Sequence, residues 1–120
     1  MNIGFIGCGK IAHFHADVLK ALKQNIVAVS ARKKSPNLGP FSEKYNIRNQ
    51  YTQWQEMVEN ENLDALWVMA TWDKMDKLLI PLIKTGLPLF LEKPIALSSE
   101  NIEEAIEEHR KTNQYIQVGY

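Results

Sequence analysis

The sequence predicts an α/β fold, a doubly wound, mainly parallel sheet of six strands with helices on both faces. Three observations predict it. Short, near-continuous apolar runs alternate with longer segments of helical apolar spacing, the rhythm of a parallel sheet covered on both sides. The first run, Ile3-Gly4-Phe5-Ile6, ends at a glycine-rich turn that opens a helix. The 120 residues suit one domain, and 45% hydrophobic with 23% charged side chains is an ordinary balance for a packed core.

Each element follows in order. Residues 3–6 read as a buried strand. Ile11, His15, Val18, Leu19 and Leu22 fall on one face of a first helix, with His15 expected against the sheet. Ile26 to Val29 is a second buried strand. Residues 32–40 form a basic, turn-rich loop. A helix is expected around 41–45, a weak strand at Gln50-Tyr51 and a helix over 53–60. Leu66 to Ala70 is a third strong strand. Asp73 is expected to cap the next helix, whose inner face holds Met75, Leu78, Leu79, Leu82 and Ile83. Gly86 is its stop signal, and Pro81 should kink or shorten it. Leu87 to Leu91 is the next strand. Ser98 caps the last helix, with Ile102, Ala105 and Ile106 facing inward. Its acids stand near the start and Arg110-Lys111 near the end, which complements the helix dipole. Tyr115 to Gly119 is the final strand.

Composition removes several function classes. Fourteen basic and fourteen acidic side chains cancel, which argues against a general nucleic-acid binder. No apolar stretch approaches the roughly 20 residues of a membrane span, and the N-terminus lacks the pattern of a signal peptide. One cysteine, Cys8, cannot form an internal disulfide, so the chain reads as cytoplasmic. His13 and His15 lie on different faces of a helix, so no metal site is expected.

The chemistry lies in three places. Gly7-Cys8-Gly9-Lys10-Ile11-Ala12 follows strand one and opens helix one. Gly7 permits the tight turn, and Gly9 lets backbone approach a pyrophosphate. Ala12 lets helix pack close to strand, and the helix N-terminus attracts the phosphates. The alternative is a purely structural turn. Cys8 stands where a thiolate would be favoured, but no base is evident beside it. After strand two an NAD site usually places an acid for the ribose hydroxyl. Here Ser30-Ala31-Arg32-Lys33-Lys34 has none and three cations, which fits a 2′-phosphate or, more blandly, a solvated loop. Glu92-Lys93-Pro94 ends a strand at the edge where ligands of open parallel sheets bind.

Together these residues resemble the N-terminal domain of the Gfo/Idh/MocA oxidoreductases, the family of glucose–fructose oxidoreductase and inositol dehydrogenase. The resemblance covers the whole chain. It rests on residues 3–12, His15, Leu19, residues 63–71, Gly86 and Leu91-Glu92-Lys93-Pro94-Ile95-Ala96. It implies an NAD(P)-binding Rossmann domain over residues 1–120, with NADP favoured over NAD by the basic stretch. The cofactor-binding residues would be Gly7, Cys8, Gly9, Lys10, Ile11, Ala31, Arg32, Thr71, Trp72, Glu92 and Lys93, with Lys93 also catalytic. The family's C-terminal substrate domain is expected to be absent here. The implied activity is oxidoreduction of a sugar, polyol or related carbonyl compound, with the isolated chain inactive. A non-catalytic dinucleotide-sensing module and an inactive fragment are the alternatives. The partners expected are the dinucleotide, the substrate domain and a further copy in a homo-oligomer, with no nucleic-acid or membrane partner. Trp72-Asp73 stands where the family has Pro-Asn, and Asp76 where it has a histidine.

Overall fold

A computed structural model describes residues 1–119. The chain forms two compact units, Met1–Met69 and the part from Ala70 onward. The first unit runs β1 (Asn2–Ile6), α1 (Lys10–Ala21), β2 (Asn25–Ser30), α2 (Leu38–Lys44), β3 (Asn49–Tyr51), α3 (Trp54–Asn60) and β4 (Ala65–Val68). Its strands pair in parallel in the order β3-β2-β1-β4. The second unit runs α4 (Trp72–Lys84), β5 (Leu89–Glu92), α5 (Ser99–Thr112) and β6 (Ile116–Gly119), with β5 and β6 parallel. The α/β, doubly wound class that the sequence predicts is the one adopted.

The centre of the first unit is well packed because β1, β2 and β4 are apolar through their middle positions. Ile3, Phe5, Val29, Leu66 and Val68 are all fully buried. Gly4 is glycine because of close approach: a Cβ there would stand 2.9 Å from Leu63 Cδ1 and 3.1 Å from Met57 Cε. Phe41 of α2 stacks at an angle on Phe5, with ring centroids 5.5 Å apart. In the second unit α4 buries Met75, Leu79, Leu82 and Ile83 of the expected face, while Leu78 is only half-buried. Gln114 is buried, and its amide donates to the Ile83 carbonyl at 2.7 Å, so its polar end is satisfied. An open apolar groove of about 400 Å³ remains in this unit, lined by residues including Ile95, Ile102, Ile106 and Tyr115.

Several expectations are corrected. The buried face of α1 is Ala12, Ala16 and Leu19. Ile11, Phe14, Val18 and Leu22 are exposed, Phe14 by 60%. The small residues let the helix lie close to the sheet, which leaves the larger side chains on the outside. His13 and His15 are both partly buried, and His13 is held in a polar and aromatic cluster. In α5 Ala105 is buried, while Ile106 is exposed and Ile102 is intermediate. Thr71, not Asp73, occupies the N-cap position of α4, and Asp73 sits in its first turn. Pro81 does not shorten α4, which continues to Lys84. Ser98 caps α5 as expected, accepting from Asn101 N–H at 3.1 Å, and Gly86 adopts φ +73° just past α4.

Candidate functional site

The predicted site residues fall into two groups, one in each unit. In the first, β1 ends at Gly7, whose φ of +93° is the left-handed conformation that favours glycine. Gly7 N–H donates to the Ser30 carbonyl at 2.8 Å, which ties the turn to the end of β2. Ala31 N–H in turn donates to the Tyr51 carbonyl at 3.0 Å. The carboxyl ends of β1, β2 and β3 are therefore laced together, and Gly7 to Ile11, Ala31 and Arg32 are held at that edge.

Gly9 is the N-cap of α1, with φ −79° and ψ −165° and no side-chain cap. Those angles are open to any residue, and a Cβ at Gly9 would meet no protein atom within 4 Å. Nothing in the protein itself requires glycine there. A group that must come within van der Waals reach of the backbone would require it. Ala12 N–H donates to the Gly9 carbonyl at 3.1 Å, and the Lys10 and Ile11 N–H groups ahead of it stand at the positive end of the helix dipole. The residues present therefore fit a pyrophosphate.

Cys8 is buried, and its Sγ lies 3.8 Å from Ser35 Oγ. Burial pushes its thiol pKa up, with the Ser35 contact opposing the shift. The reactive thiolate that the helix N-terminus would favour is thus not the form this environment selects. Arg32, Lys33 and Lys34 are exposed, and Ser35 N–H closes the turn by donating to the Arg32 carbonyl at 3.0 Å.

In the second unit Thr71 and Trp72 are exposed at the start of α4. Thr71 Oγ1 donates to Asp73 Oδ1 at 2.6 Å, and this bond holds the Asp73 carboxyl below its usual pKa. Glu92 is the last residue of β5, and Lys93 follows it with its side chain exposed. Glu92 pairs in register with Gly119 of β6, where a Cβ would stand 3.0 Å from Glu92 Oε1 and 3.1 Å from Phe90 Cζ.

The sequence reading notes Asp76 only as a departure from the family pattern and does not name Asn101, its partner. Asp76 Oδ1 accepts from Leu97 N–H at 2.6 Å and from the Asn101 amide at 2.9 Å. The Asn101 amide also donates to the Asp76 carbonyl at 2.9 Å. This pair fastens the segment after Lys93 to α4. No local pattern announces such a staple, since its members are 25 positions apart.

A second polar cluster lies on the outside of the first unit. Tyr45 hydroxyl donates to Asp17 Oδ1 at 2.7 Å, and His13 Nδ1 lies 3.2 Å from the same hydroxyl. With the tyrosine proton given to Asp17, His13 Nδ1–H is the donor of the second bond. The Tyr45 bond holds the Asp17 carboxyl below its usual pKa, and Lys44 at 3.6 Å adds to this. Among the described residues there is no group of three or more His, Cys, Asp and Glu side chains that could hold a metal. Among the described residues no helix is long and apolar enough to cross a membrane.

Comparison with known proteins bears on both groups. The model of the Gfo/Idh/MocA family, described as an oxidoreductase family with an NAD-binding Rossmann fold, matches residues 1–120. The chain is 29% identical to the myo-inositol 2-dehydrogenase of Thermotoga maritima over 120 residues, all of this chain and 36% of that protein. It is 28% identical to an inositol 2-dehydrogenase of Serratia proteamaculans, again over 100% of this chain and 36% of the relative. A crystal structure of myo-inositol 2-dehydrogenase from Lactobacillus plantarum superposes with a TM-score of 0.87 at 26% identity, covering 99% of this chain and 36% of that one. The chain thus spans about a third of the length of these relatives. With the glycine turn, the parallel sheet and a family match along its whole length, the chain belongs to the Gfo/Idh/MocA oxidoreductases as an NAD-binding Rossmann domain.

Proposed function

We propose that this chain is the cofactor-binding part of an oxidoreductase that interconverts a polyol of the inositol kind and its ketone. The observation that carries the reading is Gly9, which is explained by close approach of a ligand and by nothing in the protein. The naming of the relatives as inositol dehydrogenases supports the substrate class. Gly7, Cys8, Gly9, Lys10 and Ile11 would hold the pyrophosphate through backbone N–H groups. Thr71, Trp72, Glu92 and Lys93 would border the nicotinamide end. Bound there, the nicotinamide supplies the hydride acceptor. Lys93 would contact the substrate hydroxyl and take up or return its proton at Nζ. A substrate domain, within the length by which the relatives exceed this chain, would complete the pocket. The single buried cysteine supports a cytoplasmic location.

We further propose that NADP(H) is preferred over NAD(H). Ala31 follows β2 where an acid would repel a 2′-phosphate, and Arg32 is exposed beside it. A charge-assisted hydrogen bond contributes about 1.5–3 kcal/mol, which corresponds to a preference of roughly ten- to a hundredfold. Calorimetric titration with NAD+ and NADP+, on the wild type and on Arg32→Ala, tests both readings. The expected result is tighter NADP+ binding that Arg32→Ala removes. Equal affinities would refute the NADP assignment, and no binding of either would refute the function.

A further inference from the structure

We propose that Asp76 is a positioning residue for Lys93: its carboxylate ties the segment that carries Lys93 to the start of α4. The inference rests on the reading above, in which Lys93 and the start of α4 border the nicotinamide, and it names what sets one against the other. Lys93 opens a stretch, residues 93–98, that is neither helix nor strand. One end of the stretch is fixed where Glu92 of β5 pairs with Gly119 of β6. The other end is fixed at Leu97, whose N–H donates to Asp76 Oδ1 at 2.6 Å. Packing does not hold that end, because the Leu97 side chain is 55% exposed, and Lys93 and Pro94 are exposed as well. The helix that follows does not require the bond either, since Ser98 Oγ already caps α5 by accepting from Asn101 N–H at 3.1 Å.

Asp76 suits this role by its place. It stands one turn along α4 from Trp72. Met75 and Leu79 of the same helix are fully buried, so the carboxylate projects from a firm base. Asn101 completes the tie. Its amide donates to Asp76 Oδ1 and to the Asp76 carbonyl, both at 2.9 Å, which holds the carboxylate in the rotamer that meets Leu97. Both side-chain bonds end on one oxygen, Oδ1, so an acceptor is what the place needs and the charge is secondary. Without that acceptor the stretch from Lys93 to Leu97 moves freely with respect to α4. Lys93 must then be ordered each time a ligand binds, and that ordering weakens binding.

The test uses the 120-residue chain with NADH and with ADP-ribose, which keeps the adenosine, both phosphates and the second ribose but lacks the nicotinamide. Titration calorimetry gives the two affinities, and their ratio cancels whatever the adenosine half contributes. A thermal melt accompanies each variant. Lys93→Ala should weaken NADH about tenfold and leave ADP-ribose within about twofold. Asp76→Ala should weaken NADH about fivefold, again sparing ADP-ribose. Leu97→Pro deletes the donor of the same bond and should match it, which keeps the test open if one of the two does not fold. Asp76→Asn keeps the acceptor oxygen and should restore most of the loss. Added to Lys93→Ala, Asp76→Ala should cost NADH nothing further. Equal weakening of both ligands by Asp76→Ala, or losses that multiply in the double variant, would mark a merely structural role and overturn the proposal. So would an Asp76→Asn variant as weak as Asp76→Ala. If Asp76→Ala changes neither ligand while Lys93→Ala still weakens NADH, the proposal fails and the reading of Lys93 stands. If Lys93→Ala leaves NADH unchanged, the placement of Lys93 at the nicotinamide fails, and the proposal with it.

Discussion

Replacing Gly9 with alanine should separate the needs of the fold from those of the ligand. The added methyl group meets no protein atom within 4 Å, and the backbone at φ −79°, ψ −165° accepts any residue. Two small effects on stability then oppose each other. Alanine reduces the freedom of the unfolded chain, a gain of about 0.4–1 kcal/mol. Alanine is a poorer N-cap than glycine, a loss of similar size. The net change should lie within about 0.5 kcal/mol, or about 2 °C in melting temperature for a chain of this length. Binding should respond very differently. The methyl group holds a pyrophosphate away from the N-terminus of α1, and loss of one charge-assisted hydrogen bond lowers affinity roughly ten- to a hundredfold. A thermal melt and a calorimetric titration with NAD+ and NADP+ on the same sample decide the matter. Wild-type affinity in Gly9→Ala would refute the assignment of the glycine to ligand approach. A melting temperature lower by 5 °C or more would show, on this reasoning, that the protein itself needs glycine there.

Other outcomes follow from the packing and the charges. Gly4→Ala should destabilise the chain by about 1–2 kcal/mol, since the neighbours that must yield are the flexible ends of Leu63 and Met57; chemical denaturation measures it. Asp17 has a depressed folded-state pKa, so its contribution is complete above the unfolded value of 3.8 and is lost as pH falls through the folded one. Asp17→Asn should therefore lose less melting temperature than the wild type between about pH 5 and pH 3. The Glu61 carboxylate that accepts from Tyr51 at 2.5 Å pushes the phenol up to about 12, so Tyr51 favours folding below pH 10 and loses that effect as pH rises toward 12. Ultraviolet difference titration of wild type against Tyr51→Phe should show this late phenolate, and Glu61→Gln should bring it back toward 10. The 120 residues by themselves should reduce neither NAD+ nor NADP+ in the presence of myo-inositol, because on the proposed reading a substrate domain completes the pocket at Lys93; steady absorbance growth at 340 nm would contradict this. It should also self-associate with rising concentration, through the exposed row Ile11, Phe14, Val18 and Leu22, which a monodisperse monomer in light scattering would refute.

What the sequence made legible is the rhythm of the fold. The apolar runs at 3–6, 26–29 and 66–68 are strands because a parallel sheet buried on both faces leaves no polar position to break the run. Ser98 and Gly86 mark helix ends because their roles are local, set by one side chain or one backbone angle. The face of α1 was not legible. Periodicity ranks residues by size and apolarity, and here the tight contact selects Ala12 and Ala16 over Ile11 and Val18. The site was legible as far as its backbone: Gly7 and Gly9 carry their reasons in their own identity. The long-range partners did not. Cys8 and Ser35 are 27 positions apart, and Tyr45 reaches His13 across 32, so only the folded chain brings them together.

The pairing of Glu92 with Gly119 ties the freedom of one position to the occupant of another. Any side chain at 119 would press on the Glu92 carboxylate and the Phe90 ring before it met anything else. Position 119 is therefore glycine on account of what stands at 92 and 90, not because of its own backbone. A shorter residue at 92 would remove the nearer of these two obstacles to a methyl group at 119, leaving the Phe90 ring to yield by a few tenths of an ångström. The positions are thereby coupled, so an alanine at 119 should cost less stability beside a shorter residue at 92 than beside Glu92.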